Sequence, residues 1–324
     1  MKKIMVTGAL GQIGSELTSR LREIYGNDNV VATDIRKIAG NKVVEAGPFE
    51  ILDVMDASRM AEIAKDHKVD TLIHLAALLS AVAEAKPAFA WNLNMGGLFN
   101  ALEVARNGGY SFFTPSSIGC FGPSTPKIHT PQDTLQRPQT MYGVTKVAGE
   151  LLCDYYHKRY NLDTRGVRFP GLISYVTPPG GGTTDYAVDI YYEAIKNHKY
   201  TSFIKEGTYM DMMYMPDALN GIIKLMEADP SKLIHRNAFN IAAMSFEPSQ
   251  IYAAVKKYIP DFVMDYNVDP MRQAIADSWP DSLDDSAAKR EWGFTYEYNL
   301  DKMSKDMLDK LSVKLGTDKV LELV

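Results

Sequence analysis

The chain has 324 residues, 46% of them hydrophobic and 23% charged, an average globular composition that excludes disorder as its main state. Its 35 Lys and Arg stand against 40 Asp and Glu, a net charge of −5 with a pI near 5.7, without the basic excess that nucleic-acid backbones demand. Two cysteines, Cys120 and Cys153, cannot build a disulfide framework and lack the histidine spacing of a zinc site, so a reducing, cytoplasmic setting and no metal are expected.

The opening MKKIMVTGALGQIG imitates a signal peptide, but Gly8, Gly11, Gly14 and Glu16 interrupt its apolar run and no cleavage site closes it. Apolar runs at Lys3 to Val6, Val30 to Thr33, Thr71 to Leu75 and Ser111 to Thr114 read as buried strands. Gly11 to Ile24, Ala57 to Lys65 and Trp91 to Arg106 carry helical spacing between them. That alternation is the pattern of an α/β, doubly wound parallel sheet. The glycine triplet lies where the first strand turns into a helix, so its backbone can approach a pyrophosphate while the helix N-terminus presents free N–H groups. Asp34 follows Gly14 by 20 residues, at the end of the second strand, where a carboxylate can accept both adenine-ribose hydroxyls and repel a 2′-phosphate. NAD is expected rather than NADP, although Arg36 could pair with a phosphate. Asp53, ending the third strand, suits either the adenine amino group or a helix N-cap.

His74 lies within an apolar strand and reads as a core histidine. Thr114-Pro115-Ser116-Ser117 then opens onto the C-terminal edge of the sheet, where open α/β sheets bind ligands. Tyr142 and Lys146 share one face of a helix running from Met141 to Tyr160. A tyrosine ionises near pH 10 and needs a neighbouring ammonium to serve as a base at neutral pH. Ser117, Tyr142 and Lys146 together describe alcohol oxidation. Beyond Gly171 the elements shorten; TPPGGGTTDY reads as a lid or a linker, Met212 to Ala228 as one helix with Pro216 near its first turn, and NAFNIA as a strand. Leu311 to Val324 is an amphipathic tail.

The glycine triplet, Leu75-Ala76-Ala77, Ser117, and the Tyr142/Lys146 pair resemble the extended short-chain dehydrogenase/reductase superfamily over nearly the whole chain. More narrowly, HLAALLSA, SSIGCFGPSTPK, RFPGLIS, PPGGGTTDYAVDI, MMYMPDAL, NIAAMSFEP and RQAIADSWPDSLDDS resemble the short-chain L-threonine 3-dehydrogenases. The arginine-aromatic-aromatic-Asn run of many sugar-nucleotide epimerases is here Arg168-Phe169-Pro170-Gly171. The resemblance implies a Rossmann-type domain at 1–172 plus about 213–241. A smaller, discontinuous substrate domain would occupy about 173–212 and 242–324. It implies NAD held by Gly8, Gly11, Gln12, Ile13, Gly14, Asp34, Asp53, Val54, Leu75, Ala76, Ala77, Tyr142, Lys146 and Pro170. Ser117 and Tyr142 would engage the reacting hydroxyl, with Thr184, Thr183, Ser80 and Trp279 around the rest of an amino-acid substrate. Ser80 by itself reads equally as a helix cap, and Trp279 as a core aromatic. The expected activity is NAD-dependent oxidation of L-threonine to 2-amino-3-oxobutyrate by a homodimer paired through the Met141–Tyr160 helix, with no nucleic acid or membrane partner. The alternatives are a nucleotide-sugar epimerase, which returns its hydride and accumulates no NADH, and a non-catalytic NAD sensor.

Overall fold

The computed structural model describes residues 1–178, 180 and 182–317; the last part of the tail lies outside the described residues. Fourteen short strands carry the fold: β1 Ile4–Thr7, β2 Val30–Asp34, β3 Phe49–Ile51, β4 Thr71–His74, β5 Ser111–Phe113, β6 Ser116–Ser117, β7 Thr164–Arg165, β8 Val167–Phe169, β9 Gly171–Ile173, β10 Lys199–Ser202, β11 Met210–Tyr214, β12 Phe239–Asn240, β13 Met244–Phe246 and β14 Val263–Tyr266. Six of them form a parallel sheet in the order β3-β2-β1-β4-β5-β7. β1 is central, with Ile4 opposite both Val30 and Thr71, and all four of its residues are buried. Covered on both faces, such a strand reads as an unbroken apolar run instead of an alternating one. The order reverses between β1 and β4, so a crevice opens beyond their C-terminal ends.

Pro115 sets the residues after the fifth strand apart from it. It lacks an N–H for the ladder, so the chain leaves the main sheet after Phe113 and resumes as β6, which pairs with β8 (Ser116 with Arg168, Ser117 with Phe169). β8 also pairs with β12, inside the NAFNIA segment. In the rest of the chain β11 lies between parallel β9 and antiparallel β13, and β10 pairs with β14.

Two helix expectations change. Trp91 to Arg106 is three pieces: a helix at Pro87–Trp91, a π-turn at Asn92–Gly96 and a helix at Gly97–Gly108. The wider turn carries buried Asn94, whose carbonyl accepts from Leu78 N at 2.8 Å and whose amide donates to Leu78 O at 3.3 Å. Met212 to Tyr214 belong to β11; the helix begins at Met215, with Pro216 in its first turn, and ends at Glu227. Both faces of β11 are buried, with Met212 in the cluster built around Tyr186, Tyr191 and Phe246, and Met213 in the one containing Leu17, Phe113 and Ile222. Pairing on both edges overrides the helical appearance of that segment.

Candidate active site

The glycine turn is shaped by backbone contacts. Gly8 has φ +67°, a left-handed conformation that disfavours side chains. A Cβ on Gly8 would lie 2.8 Å from Ala76 N, and one on Gly14 only 2.1 Å from Gly8 O. Gly11 is different: its Cβ would meet only Gly8 O at 3.2 Å, and the residue faces solvent. Gly8 and Gly14 therefore close the turn onto its own chain and onto Leu75-Ala76, whereas Gly11 keeps its outer face bare for a ligand. The helix Gln12–Tyr25 starts here with no side-chain cap, so its first N–H groups point into the crevice. Asp34 accepts from Leu10 N at 3.0 Å and Ile35 N at 2.9 Å, which orients its carboxylate at the rim. A bare glycine turn, uncapped helix start and backbone-oriented carboxylate suit a dinucleotide, with the pyrophosphate at Gly11–Gly14 and the ribose at Asp34.

Asp53 is exposed and accepts from Met55 N at 2.9 Å, while the cap of the next helix is Asp56, which accepts from Arg59 N. The capping alternative for Asp53 therefore fails. Val54 is buried beneath it, its Cγ2 2.8 Å from where a Gly97 Cβ would stand. Arg36 is exposed in the loop after β2. His74 shares a 2.9 Å hydrogen bond between Nδ1 and Thr7 Oγ1. Burial, with the nearby Lys146 charge, lowers its pKa to about 3, so it stays a neutral core group.

Ser117 ends β6 and caps the turn Ile118–Cys120, its Oγ accepting from Gly119 N at 3.1 Å. The next contact sets the distance to Tyr142. A Cβ on Gly143 would lie 2.2 Å from Gly119 O, and one on Gly119 would lie 3.1 Å from Tyr142 Cδ1 and Cε1 and 3.5 Å from Ser117 Oγ. Two glycines thus let the start of the Met141–Tyr160 helix press against the turn after Ser117, and the Tyr142 ring and the Ser117 hydroxyl flank the same point. Thr140 caps that helix by accepting from Gly143 N at 3.1 Å. Lys146 lies 5.3 Å from the Tyr142 ring centroid and donates to Pro115 O at 2.8 Å. His74, Leu75, Ala76, Ala77, Pro115 and Lys146 line one cavity, so the loop after β4 and the Met141–Tyr160 helix face a common space.

Behind the serine lies a buried polar cluster with no motif in the sequence. Ser116 Oγ donates to Glu150 Oε1, and Gln136 Nε2 donates to Glu150 Oε2 at 2.8 Å. Arg168 closes a bidentate pair with Glu150, Nε to Oε1 at 3.0 Å and Nη2 to Oε2 at 2.8 Å, and its Nη1 reaches Gln132 O and Asn240 Oδ1. Burial works against the Arg168 charge, but the Glu150 carboxylate outweighs it and holds the guanidinium pKa above its ordinary value. The only sequence signal is spacing: Glu150 stands four residues beyond Lys146, one turn further along the same helix.

Of the remaining candidates, Pro170 separates β8 from β9. Thr184 packs on Gly171, where a Cβ would come within 2.8 Å of Thr184 Cγ2. Thr183 is buried, beside Gly182, whose N–H donates to Asp185 Oδ2 at 2.7 Å; Gly181 lies outside the described residues. Ser80 opens the helix Ser80–Ala85, whose cap position is Leu79 and has no side-chain bond, so the capping alternative for Ser80 fails too. Trp279 is buried in the cluster with Tyr186 and Leu283. Its segment is tied down by buried Asp211, which accepts from Leu283 N at 2.8 Å. Cys120 and Cys153 are buried free thiols, and burial pushes both pKa values up. Among the described residues no group of three or more His, Cys, Asp or Glu could hold a metal ion, and no helix is long and apolar enough to cross a membrane.

Residues 4–242 match the model of the NAD dependent epimerase/dehydratase family. The chain is similar to the X-ray structure of L-threonine dehydrogenase from Clostridium difficile, with 69% identity, 97% of this chain and 98% of that one covered, and a TM-score of 0.96. A GalE-like L-threonine dehydrogenase from Cupriavidus necator, solved in its holo form, is 48% identical over 95% of this chain and 99% of that one, with a TM-score of 0.92. An uncharacterized epimerase/dehydratase of Staphylococcus saprophyticus is 62% identical over 97% of this chain and 98% of its own length.

Proposed function

The chain belongs to the NAD dependent epimerase/dehydratase family, and we propose that within it the protein is an NAD-dependent dehydrogenase that oxidises the β-hydroxyl of L-threonine to 2-amino-3-oxobutyrate. The observation that carries the reading is the meeting of Ser117 Oγ and the Tyr142 ring at Gly119, with Lys146 5.3 Å from that ring and sharing a cavity with Leu75-Ala76, on which the glycine cradle packs. The threonine dehydrogenases of Clostridium difficile and Cupriavidus necator, similar over nearly the whole chain, support the substrate.

NAD, when bound, supplies the acceptor for the β-hydrogen as hydride. Asp34 would hold the adenine ribose, Asp53 and Val54 would border the adenine, and Gln12 and Ile13 would follow the pyrophosphate along the helix start. Leu75, Ala76, Ala77 and Pro170 would wall the nicotinamide end. Tyr142 accepts the hydroxyl proton, while Ser117 holds the same oxygen and fixes which carbon faces the cofactor. Lys146 holds the nicotinamide ribose and lends its positive charge to the tyrosine oxygen. Thr184, Thr183 and Ser80 would receive the ammonium and carboxylate ends, and Trp279 would close the pocket. Residues 1–172 with about 213–241 would then be the cofactor part, and about 173–212 with 242–324 the substrate part. Mixing the purified protein with NAD and L-threonine should accumulate NADH, with UDP-glucose and UDP-galactose inert; interconversion of the sugars without NADH would reverse the assignment to an epimerase.

The same reading includes a homodimer. Leu151 is 62% exposed, Tyr155 52% and, on the neighbouring Gly97–Gly108 helix, Phe99 49%, an apolar stripe larger than a solvent-facing helix pair leaves bare. Leu151→Arg is expected to convert a dimer to a monomer in gel filtration; a wild-type monomer would contradict it.

A further inference from the structure

The catalytic serine sits on a two-residue strand interrupted from its parent sheet by Pro115, so β6 alone has little to fix its register. Among the described residues β6 pairs by backbone with β8 alone; Lys146 Nζ holds the carbonyl of Pro115 just before it at 2.8 Å, and the polar cluster beneath holds Ser116 itself. Glu150 receives the hydroxyl of Ser116, the residue beside Ser117, and does so from the helix that carries Tyr142 and Lys146. Its other oxygen takes Gln136 Nε2 at 2.8 Å, and Arg168, the β8 residue paired with Ser116, grips both oxygens. Both charged side chains are nearly excluded from solvent, at 7% and 5% exposure. Each of the three elements, β6, β8 and the catalytic helix, thus contributes one side chain to a single buried junction.

We propose that Glu150, clamped by Arg168, is a positioning residue that sets Ser117 in register with Tyr142 by holding Ser116 to the catalytic helix. This rests on the assignment of Ser117 and Tyr142 as the pair that engages the hydroxyl. An ion pair kept only for stability would be replaceable. Buried pairs exchanged together for apolar residues of similar size are often neutral or stabilising. A pair kept for register is not, because the exchange leaves Ser116 without its partner while the fold stays intact.

Two changes separate these roles. Ser116→Ala removes the tie and leaves the ion pair, and Glu150→Leu combined with Arg168→Met removes the whole junction. Displacing an orienting group by about 1 Å can cost on the order of 10²-fold. Ser116→Ala should therefore lower kcat about tenfold with Tm close to wild type, and the paired exchange should lower kcat about 10²-fold with a lower Tm from the buried partners it strands; KM for L-threonine and Kd for NAD should stay close to wild type in both. Combined with Ser117→Ala, either change should cost nothing further, because it acts through that serine. Wild-type kcat in Ser116→Ala, or a loss that adds in full to that of Ser117→Ala, would overturn the proposal. Crystal structures of wild type and Ser116→Ala provide a readout free of substrate: Ser117 Oγ should shift relative to the Tyr142 ring, and an unmoved Ser117 would overturn the positioning role. A wild-type protein inert towards L-threonine would refute the proposed activity instead and leave the crystallographic comparison to decide this inference.

Discussion

The two sides of the crevice are built by different means. On the proposed cofactor side the chain shapes itself locally: Gly8, Gly11 and Gly14 fall within seven residues, and their contacts are to one another, to Ala9 and to Leu75-Ala76 just beyond β4. On the proposed substrate side, residues far apart in sequence are joined by single side chains. Asp211 holds Leu283 N at 2.8 Å, and two residues of the proposed cofactor part reach across to it: Asp217 accepts from Glu297 N at 2.9 Å and Tyr298 N at 3.0 Å, and Glu16 Oε1 accepts from Ser174 Oγ at 2.5 Å. Lys314, near the end of the last described helix, donates to Tyr175 O at 2.9 Å and Val176 O at 2.8 Å. A site made of turn geometry leaves its mark in a short motif; a site made of tethers leaves it only in pairs of residues that no local pattern connects.

The largest expected effect tests the local side. Gly14→Ala places a methyl 2.1 Å from a backbone oxygen with no room to yield, and is expected to abolish NAD binding in titration calorimetry, with a loss of stability of several kcal/mol, on the order of 3. Gly11→Ala should fold normally and lose cofactor affinity alone. Equal behaviour of the two would contradict the division between turn closure and ligand approach.

Tyr142→Phe comes next. It keeps the ring that packs on Gly119 and removes the proton acceptor, so turnover should fall by about 10²- to 10⁴-fold while Kd for NAD stays within about twofold. Unchanged turnover would remove Tyr142 from the chemistry.

Legibility follows the same division. The strands around the cradle were readable because each is a buried apolar run next to a glycine turn, and Asp34 because of its fixed distance from Gly14. The Met141–Tyr160 helix was readable because its apolar and polar residues keep helical spacing to its end. The π-turn at Asn92–Gly96 and the strand residues Met212–Tyr214 were missed where tertiary contacts decide: Asn94 turns inward because Leu78 offers it two backbone partners, and β11 is paired on both edges. The cap alternatives for Asp53 and Ser80 fail because the backbone enters those helices at Asp56 and Leu79, and a cap is set by the residue at which it does so. Thr183, Thr184 and Trp279 came only from family resemblance, and the Glu150–Arg168 junction from neither source.

A milder substitution tests the tethered side. Gly171→Ala would bring a methyl to 2.3 Å from Met212 Sδ and 2.8 Å from Thr184 Cγ2. The methionine can swing away, so the fold should survive and Thr184 should move. KM for L-threonine is expected to rise about tenfold, for a loss of roughly 1.4 kcal/mol, with NAD affinity unchanged. A rise in Kd for NAD instead would show that the two sides are not separable.

The smallest effect is a pH dependence. Burial raises the Asp211 carboxyl to about 7, against the backbone N–H groups that favour its ionised form. With the folded pKa above the unfolded one, the folded state binds the extra proton between them. Stability from this group is therefore full at low pH and is lost as pH rises through about 7. Asp211→Asn keeps an acceptor for Leu283 N and cannot ionise, so its Tm relative to wild type should be higher at about pH 8 than at about pH 5. A difference in Tm that does not change with pH would mean that Asp211 is ionised throughout.

The central claim is that a hydride leaves the β-carbon of an amino acid for the cofactor while Tyr142 takes the hydroxyl proton. The direct measurement uses L-threonine deuterated at Cβ: incubate it with the protein and NAD, and analyse the reduced cofactor by mass spectrometry. The account predicts NADH carrying one deuterium at nicotinamide C4, formed more slowly than from unlabelled substrate. NADH without deuterium, or no NADH at all, would contradict it.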